Sequence, residues 1–232
     1  MAPTLPRTLE PEVMDTEEEA RDYDAMDHAE VNGRFVADLL AFRPGVTDVL
    51  DVGTGTARIP IELCARAPQA RVVAIDLADQ MLALARENVA RAKLEGRITL
   101  EKRDAKSAGW PDGRFEVVIS NTILHHIPDP TDLVREMWRL TARGGTIFLR
   151  DLARPASLAE VSALVAKHGG APASRDPGVV AAHERQVKLF EASLHAALTL
   201  GEIRERLGDL GIPPAAATMT SDRHWTLAHT RS

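Results

Sequence analysis

Between residues 46 and 152 five short, apolar, β-branched stretches recur, and amphipathic stretches separate most of them. The apolar runs are "VTDVLDV" (46–52), "RVVAID" (71–76), "RITLEKRDA" (97–105), "FEVVISN" (115–121) and "TIFLRDL" (146–152). Helical periodicity covers residues 57–67, which stop before Pro68, "ADQMLALARENVARAK", which ends near Gly96, and "TDLVREMWRLTA", with Gly144-Gly145 placed as its C-terminal stop. Strands that are apolar on both faces and alternate with helices predict a doubly wound, mostly parallel α/β sheet.

The flanks read differently. Residues 1–14 are Pro-rich and irregular, and Asp15 to Ala41 predicts one or two helices with an apolar stripe of Val31, Phe35, Val36, Leu39 and Leu40. After residue 152, "SLAE" (157–160) and "TLGE" (199–202) are capping-box patterns that open helices. "GGAPASRDPG" reads as a loop and "HERQVKLFEASLHAAL" as a helix. "ATMTSDRHWTLAHT" predicts an antiparallel hairpin at the sheet edge. The expected architecture is a Rossmann-like, seven-stranded sheet in which residues 1–45 form an arm and helical cover, residues 46–232 form the domain, and about 153–211 form a helical insertion.

A net charge of −6, scarce aromatics and the absence of a Lys/Arg block argue against nucleic acid and for a small-molecule partner. The first residues lack the basic and apolar regions of a signal peptide, and no apolar run is long enough to cross a bilayer. With one cysteine, Cys64, a cytoplasmic protein free of the membrane is expected, as monomer or homodimer.

Chemistry concentrates after the first strand. In "VLDVGTGTARIP", Gly53 and Gly55 allow a sharp turn and a close backbone approach to a ligand, at the carboxyl end of a strand where open α/β sheets bind theirs. The dinucleotide pattern G-x-G-x-x-G/A fits poorly, because its last small position falls on Arg58. Instead Asp51 precedes the glycines and Ala57 follows them. Asp76 ends the second strand, where a carboxylate can accept both hydroxyls of a ribose. Asp104-Ala105 ends the third strand, where an adenine amine could be met, and Asn121 ends the fourth.

"VLDVGTGTARIP", "VVAIDLADQMLALAREN", "RDAKSAGWPDGRFEVVISNTILHHIPDP" and "LTARGGTIFLRDL" together resemble the successive motifs of class I S-adenosylmethionine-dependent methyltransferases over roughly residues 46–152. Ala57 stands where that family's first motif usually has its last glycine. The resemblance implies that S-adenosylmethionine is the cofactor and S-adenosylhomocysteine the product. It implies that Asp51 is a cofactor contact, that Gly53 and Gly55 line the methionine part, that Asp76 takes the ribose, that Leu77 and Met81 flank the adenine, that Asp104 and Ala105 meet its edge, and that Asn121 lies near the sulfonium. Methyl transfer from a sulfonium is an in-line displacement with a good leaving group, so alignment and desolvation do most of the work and no triad is required.

Candidates for the acceptor side are His125 and His126 in "NTILHHIPDP", Asp151 at the end of "TIFLRD" for a cationic group, Tyr23 and His28 in "YDAMDH", and Arg223 in "SDRHW" for a carboxylate. His125, Tyr23 and Asn121 are the expected catalytic set. His126, His28, Asp151 and Arg223 are the expected substrate contacts. The adjacent His125 and His126 are expected to point in different directions, so no metal site is predicted. "RDYDAMDHAEVNGRFV", "SNTILHHIPDP" and "FEASLHAALT…SDRHW" also resemble the methyltransferase component of ovothiol-type biosynthesis, which implies imidazole N-methylation of 5-thiohistidine or its selenium analogue. The alternatives are C- or O-methylation of a quinol-like or phenol-like metabolite, and a cofactor-binding protein without turnover.

Overall fold

The computed structural model describes residues 5–10, 16–24 and 29–232, except the side chains of residues 19 and 22. Helices α1 (Glu17–Asp24) and α2 (Ala29–Phe42) precede β1 (Asp48–Val52). Then come α3 (Arg58–Arg66), β2 (Arg71–Asp76), α4 (Asp79–Arg91), β3 (Ile98–Lys102) and β4 (Phe115–Asn121). A 3₁₀ turn (Leu124–His126), α5 (Thr131–Leu140) and β5 (Thr141–Leu152) follow, then α6 (Leu158–His168), α7 (Pro177–Ala196) and α8 (Leu200–Asp209), and β6 (Ala217–Met219) and β7 (His224–Thr230) close the sheet.

The seven strands lie in the order β3-β2-β1-β4-β5-β7-β6. Strands β1 to β5 are parallel, and β7 runs antiparallel to both β5 and β6. Strand order reverses beside β1, where the chain leaves first for β2 and later for β4, so a crevice opens at the carboxyl ends of these strands.

Alternation along the strands distributes two cores. Leu50, Val52 and Val118 face one side with Met137, Leu207 and Trp225, while Val49, Val117 and Ile119 face the other with Phe35 and Leu63. The Phe35 ring stands edge-on to Phe148, with centroids 5.2 Å apart, and fixes α2 against the sheet. Trp225, which the hairpin sequence left unassigned, is fully enclosed in the first core.

Two expectations need correction. Gly144-Gly145 does not stop α5; both glycines lie inside β5, which starts at Thr141. The helix instead closes through the Thr141 hydroxyl, which donates to the Met137 carbonyl at 2.8 Å. A Cβ on Gly145 would lie 2.6 Å from the Glu116 carbonyl oxygen, and the β4–β5 register shifts at this point, so the glycine serves close strand contact at an irregularity. Helix α7 also begins earlier than read, inside the presumed loop, because Asp176 caps it by accepting from the Gly178 and Val179 amides and Pro177 occupies its first turn. The Thr199 capping box is complete.

Candidate functional site

The β1–α3 turn is anchored by the Gly53 and Thr54 amides, which both donate to the Ile75 carbonyl at 2.9 Å. Gly53 (φ 70°), Gly55 (φ 53°) and Ala57 (φ 62°) are all left-handed. The last glycine position of the motif therefore needs a conformation that costs alanine about 1 kcal/mol, and Ala57 tolerates it in this chain. A Cβ on Gly53 would lie 2.3 Å from Ile123 Cδ1.

The turn is tied to the end of β2. Asp76 Oδ2 accepts from the Gly55 amide at 2.8 Å, and Oδ1 accepts from the Ala78 amide at 2.9 Å. At the end of β4 the chain turns through Asn121 and Thr122. Thr122 is left-handed (φ 58°), a costly conformation for a β-branched residue and one that gathers at functional sites. Asn121 Oδ1 is buried and has no hydrogen-bond partner among the described residues, which marks an acceptor aimed at something the protein does not itself supply.

These ends line one cleft at the carboxyl edge of the sheet, where open α/β folds bind their ligands. Tyr23, Gly53, Gly55, Asp76, Leu77, Met81, Asp104, Ala105, Asn121 and His126 all line it, as do Thr122, Ile123 and Ile127. Asp51 lines an adjoining polar cavity that shares Tyr23, Gly53 and Asn121 with the cleft. Its carboxyl is pushed up to about 7 by burial, and the nearby charge of Asp76 adds to the shift. Burial also raises the Tyr23 phenol, so it stays protonated over the glycine turn.

The acceptor-side expectations divide. His126 lines the cleft, whereas His125 is buried behind it with Nδ1 2.7 Å from Asp151 Oδ1. Asp151 does not reach the cleft: Oδ2 accepts from the Leu124 amide and Oδ1 from the Leu152 amide, which fastens the 3₁₀ turn to β5. Burial opposes ionisation of Asp151, yet the charge and hydrogen bond of His125 hold its carboxyl below the usual range. Burial likewise opposes a charge on His125, but Asp151 holds its pKa raised. Arg223 sits in the β6–β7 turn with its guanidinium 5.9 Å from the Phe190 ring, outside both cavities. His28 lies outside the described residues.

Sequence reasoning missed Glu10 entirely. Its carboxylate Oε2 lies 3.2 Å from His126 Nδ1, an ion-pair contact that falls short of an aligned hydrogen bond, and Oε1 accepts from the Ser193 hydroxyl. Arg7 holds this segment in place, donating to main-chain oxygens of Ala196 at 2.6 Å, Pro128 at 2.6 Å and Ile127 at 2.9 Å. Nothing periodic marks residues 5–10, so no local signal could have placed them. The two histidine rings also lie together, with centroids 4.1 Å apart, and do not diverge as expected. Both histidines belong to one 3₁₀ turn, Leu124–His126.

Residues 49–145 match the model of the methyltransferase domain family. The chain is 33% identical over 193 residues to the demethylmenaquinone methyltransferase of Deinococcus radiodurans, covering 75% of this chain and 78% of the relative. The chain belongs to the class I S-adenosylmethionine-dependent methyltransferases. Against other curated relatives of this methyltransferase, it spans 43% to 65% of their length. Among solved structures, a methyltransferase from Aquifex aeolicus shares the fold with a TM-score of 0.65 at 16% identity, over 93% of this chain and 98% of that one. The magnesium protoporphyrin IX methyltransferase of Synechocystis, solved with S-adenosylhomocysteine, shares it with a TM-score of 0.62 at 21% identity, over 95% and 90%. The cofactor of this methyltransferase is S-adenosylmethionine, and none of its helices is long and apolar enough, among the described residues, to cross a membrane.

Proposed function

We propose that the enzyme transfers the methyl group of S-adenosylmethionine to a small, flat phenol- or quinol-type acceptor, with methylation at a ring carbon as the primary reaction. The observation that carries this reading is the wall of the cleft beyond Asn121. It is made of Ile123, Ile127 and His126, while Asp151 and Arg223, the groups that would hold a zwitterion, stand outside it. Similarity to a demethylmenaquinone methyltransferase supports the same chemistry. The 5-thiohistidine reading keeps neither of those two charged contacts.

In this reading Asp76 exchanges its bonds to the turn amides for the ribose hydroxyls, Leu77 and Met81 sandwich the adenine, and Asp104 and Ala105 meet its edge. Gly53, Gly55 and Asp51 face the methionine part. Asn121 Oδ1 faces the electron-poor sulfonium methyl, and Tyr23 closes that end from above. Residues 1–45 act as a cover that completes the site. The acceptor carbon ortho to a hydroxyl attacks the methyl carbon in line with the C–S bond, the bonding pair leaves with sulfur, and loss of the ring proton restores aromaticity. Enclosure removes water from a reaction in which positive charge passes from sulfur to the ring, and alignment of the reacting atoms lowers the barrier.

The test is transfer of labelled methyl from S-adenosylmethionine to a panel of a short-chain demethylmenaquinol, a catechol and 5-thiohistidine. The quinol is expected to take the label on a ring carbon. Transfer to 5-thiohistidine alone would overturn the proposal.

A further inference from the structure

We propose that Glu10, His125 and His126 form a binding site for a divalent first-row metal ion, zinc by the nature of its donors, at the back of the methyl-acceptor end of the cleft. The three side chains each offer a ligand atom, and these atoms all lie within 4.8 Å of one another. His126 Nδ1 and Glu10 Oε2, 3.2 Å apart, already match the spacing of two ligands on a tetrahedral ion, roughly 3.3 Å for bonds of about 2.0–2.1 Å. Small rotations of side chains would bring in the third donor.

What surrounds the three ligands argues for a built site. A histidine that ligates a metal typically gives its other ring N–H to a carboxylate, which fixes both tautomer and ring orientation. His125 has the matching geometry: its Nδ1 is 2.7 Å from Asp151 Oδ1, which leaves Nε2 as the nitrogen to offer an ion. Asp151 is in turn held by two backbone amides. Glu10 is oriented by the Ser193 hydroxyl at 3.0 Å, which leaves Oε2 turned to His126. The segment that carries Glu10 is fastened by Arg7 to the Ile127 and Pro128 carbonyls, just after the histidine pair, and by the Thr8 amide to the His195 carbonyl at 3.1 Å. The ligand residues are largely enclosed, with side-chain exposures of 10% for Glu10, 4% for His125 and 18% for His126. Two imidazoles and a carboxylate are a donor set of catalytic rather than structural zinc sites, which keep an open position for substrate.

His126 is the ligand that also lines the cleft, so a group reaching the ion from that side would come from the acceptor end. An acceptor that binds there as its oxyanion, its hydroxyl proton released to solvent before the site encloses it, would push that oxygen's electron pair into the ring. The ortho carbon then forms its bond to the methyl group as the C–S bond breaks toward sulfur, and the ring proton leaves. This role rests on the phenol or quinol reading above; the binding of the ion does not.

The experiment strips the full-length enzyme with a chelator, dialyses it against Zn²⁺ or Co²⁺, and counts bound metal by mass spectrometry. The visible absorption of Co²⁺ reports the coordination. About one ion per chain is expected, with Co²⁺ bands of a four- or five-coordinate centre. Glu10→Gln should weaken binding about a hundredfold and Ser193→Ala about tenfold, with the thermal shift given by S-adenosylhomocysteine kept in both. Less than about a tenth of an equivalent in the unaltered enzyme, or equal binding in Glu10→Gln, overturns the site. If metal is absent and the quinol is methylated, the metal site fails and the function stands. If metal binds and no quinol is methylated, the function fails and the site stands.

Discussion

Replacing Asp51 with asparagine should make the cofactor-free protein more stable at neutral and alkaline pH while weakening its hold on the cofactor. Asp51 is 2% exposed, and its carboxyl titrates at about 7 in the folded protein, burial being the main cause. In the unfolded chain it titrates near 3.9, so the difference is roughly 3 units, or about 4 kcal/mol at 1.36 kcal/mol per unit. The folded state binds the proton more tightly, so the stabilisation is fully present below about pH 4 and is lost as pH rises through about 7. Between pH 5 and pH 8 this group alone should cost the unaltered protein about 2 to 3 kcal/mol. Urea unfolding of both proteins at the two pH values isolates it, because the other titrating groups cancel in the difference. The advantage of Asp51→Asn should grow by that amount from pH 5 to pH 8. In the unaltered enzyme, affinity for S-adenosylhomocysteine should rise as Asp51 ionises beside the ligand's ammonium group, and in the variant it should not. Parallel stability profiles for the two proteins would refute the reasoning.

Gly53→Ala should lose about 2 to 4 kcal/mol, combining left-handed strain with overpacking against Ile123; adding Ile123→Ala should restore the steric part in urea unfolding and leave the strain. Asp76→Ala removes the acceptor of two turn amides and the proposed ribose contact, and calorimetric titration with S-adenosylhomocysteine should show binding weakened about 10- to 150-fold. His224 is held down to about 4 by burial next to Arg223 and Arg150. Its contribution to stability is therefore present above about pH 6.5 and lost as pH falls through about 4, and His224→Gln should flatten acid unfolding in that window.

Much of the sheet was legible because buried strands must be apolar and polar residues gather at their ends. Residues 71–76 and 115–121 were read to the residue, and Asp76, Asp104 and Asn121 do meet at one cleft. Local patterns failed where a distant partner decides the outcome. Gly144-Gly145 looks like a helix stop, but the Glu116 backbone explains it. Which histidine of the pair faces the cleft depends on Asp151, 26 residues away from His125, gripping the turn between them. Glu10 has no periodic neighbours, and its place beside His126 follows from Arg7 bonding to carbonyls more than a hundred residues downstream.

That fastening also sets a clock on synthesis. The Ala196 carbonyl that receives the Arg7 guanidinium is made 189 residues after Arg7. At about 5–20 residues per second, roughly 10 to 40 s pass before the partner even exists. The Arg7 bonds to Ile127 and Pro128 can form after some 120 residues, but the Ala196 contact must wait for the rest of that interval. A nascent chain that stalls before α7 would contain the glycine turn, the strand-end acids and both histidines, yet Glu10 would lack the Ser193 hydroxyl that orients it.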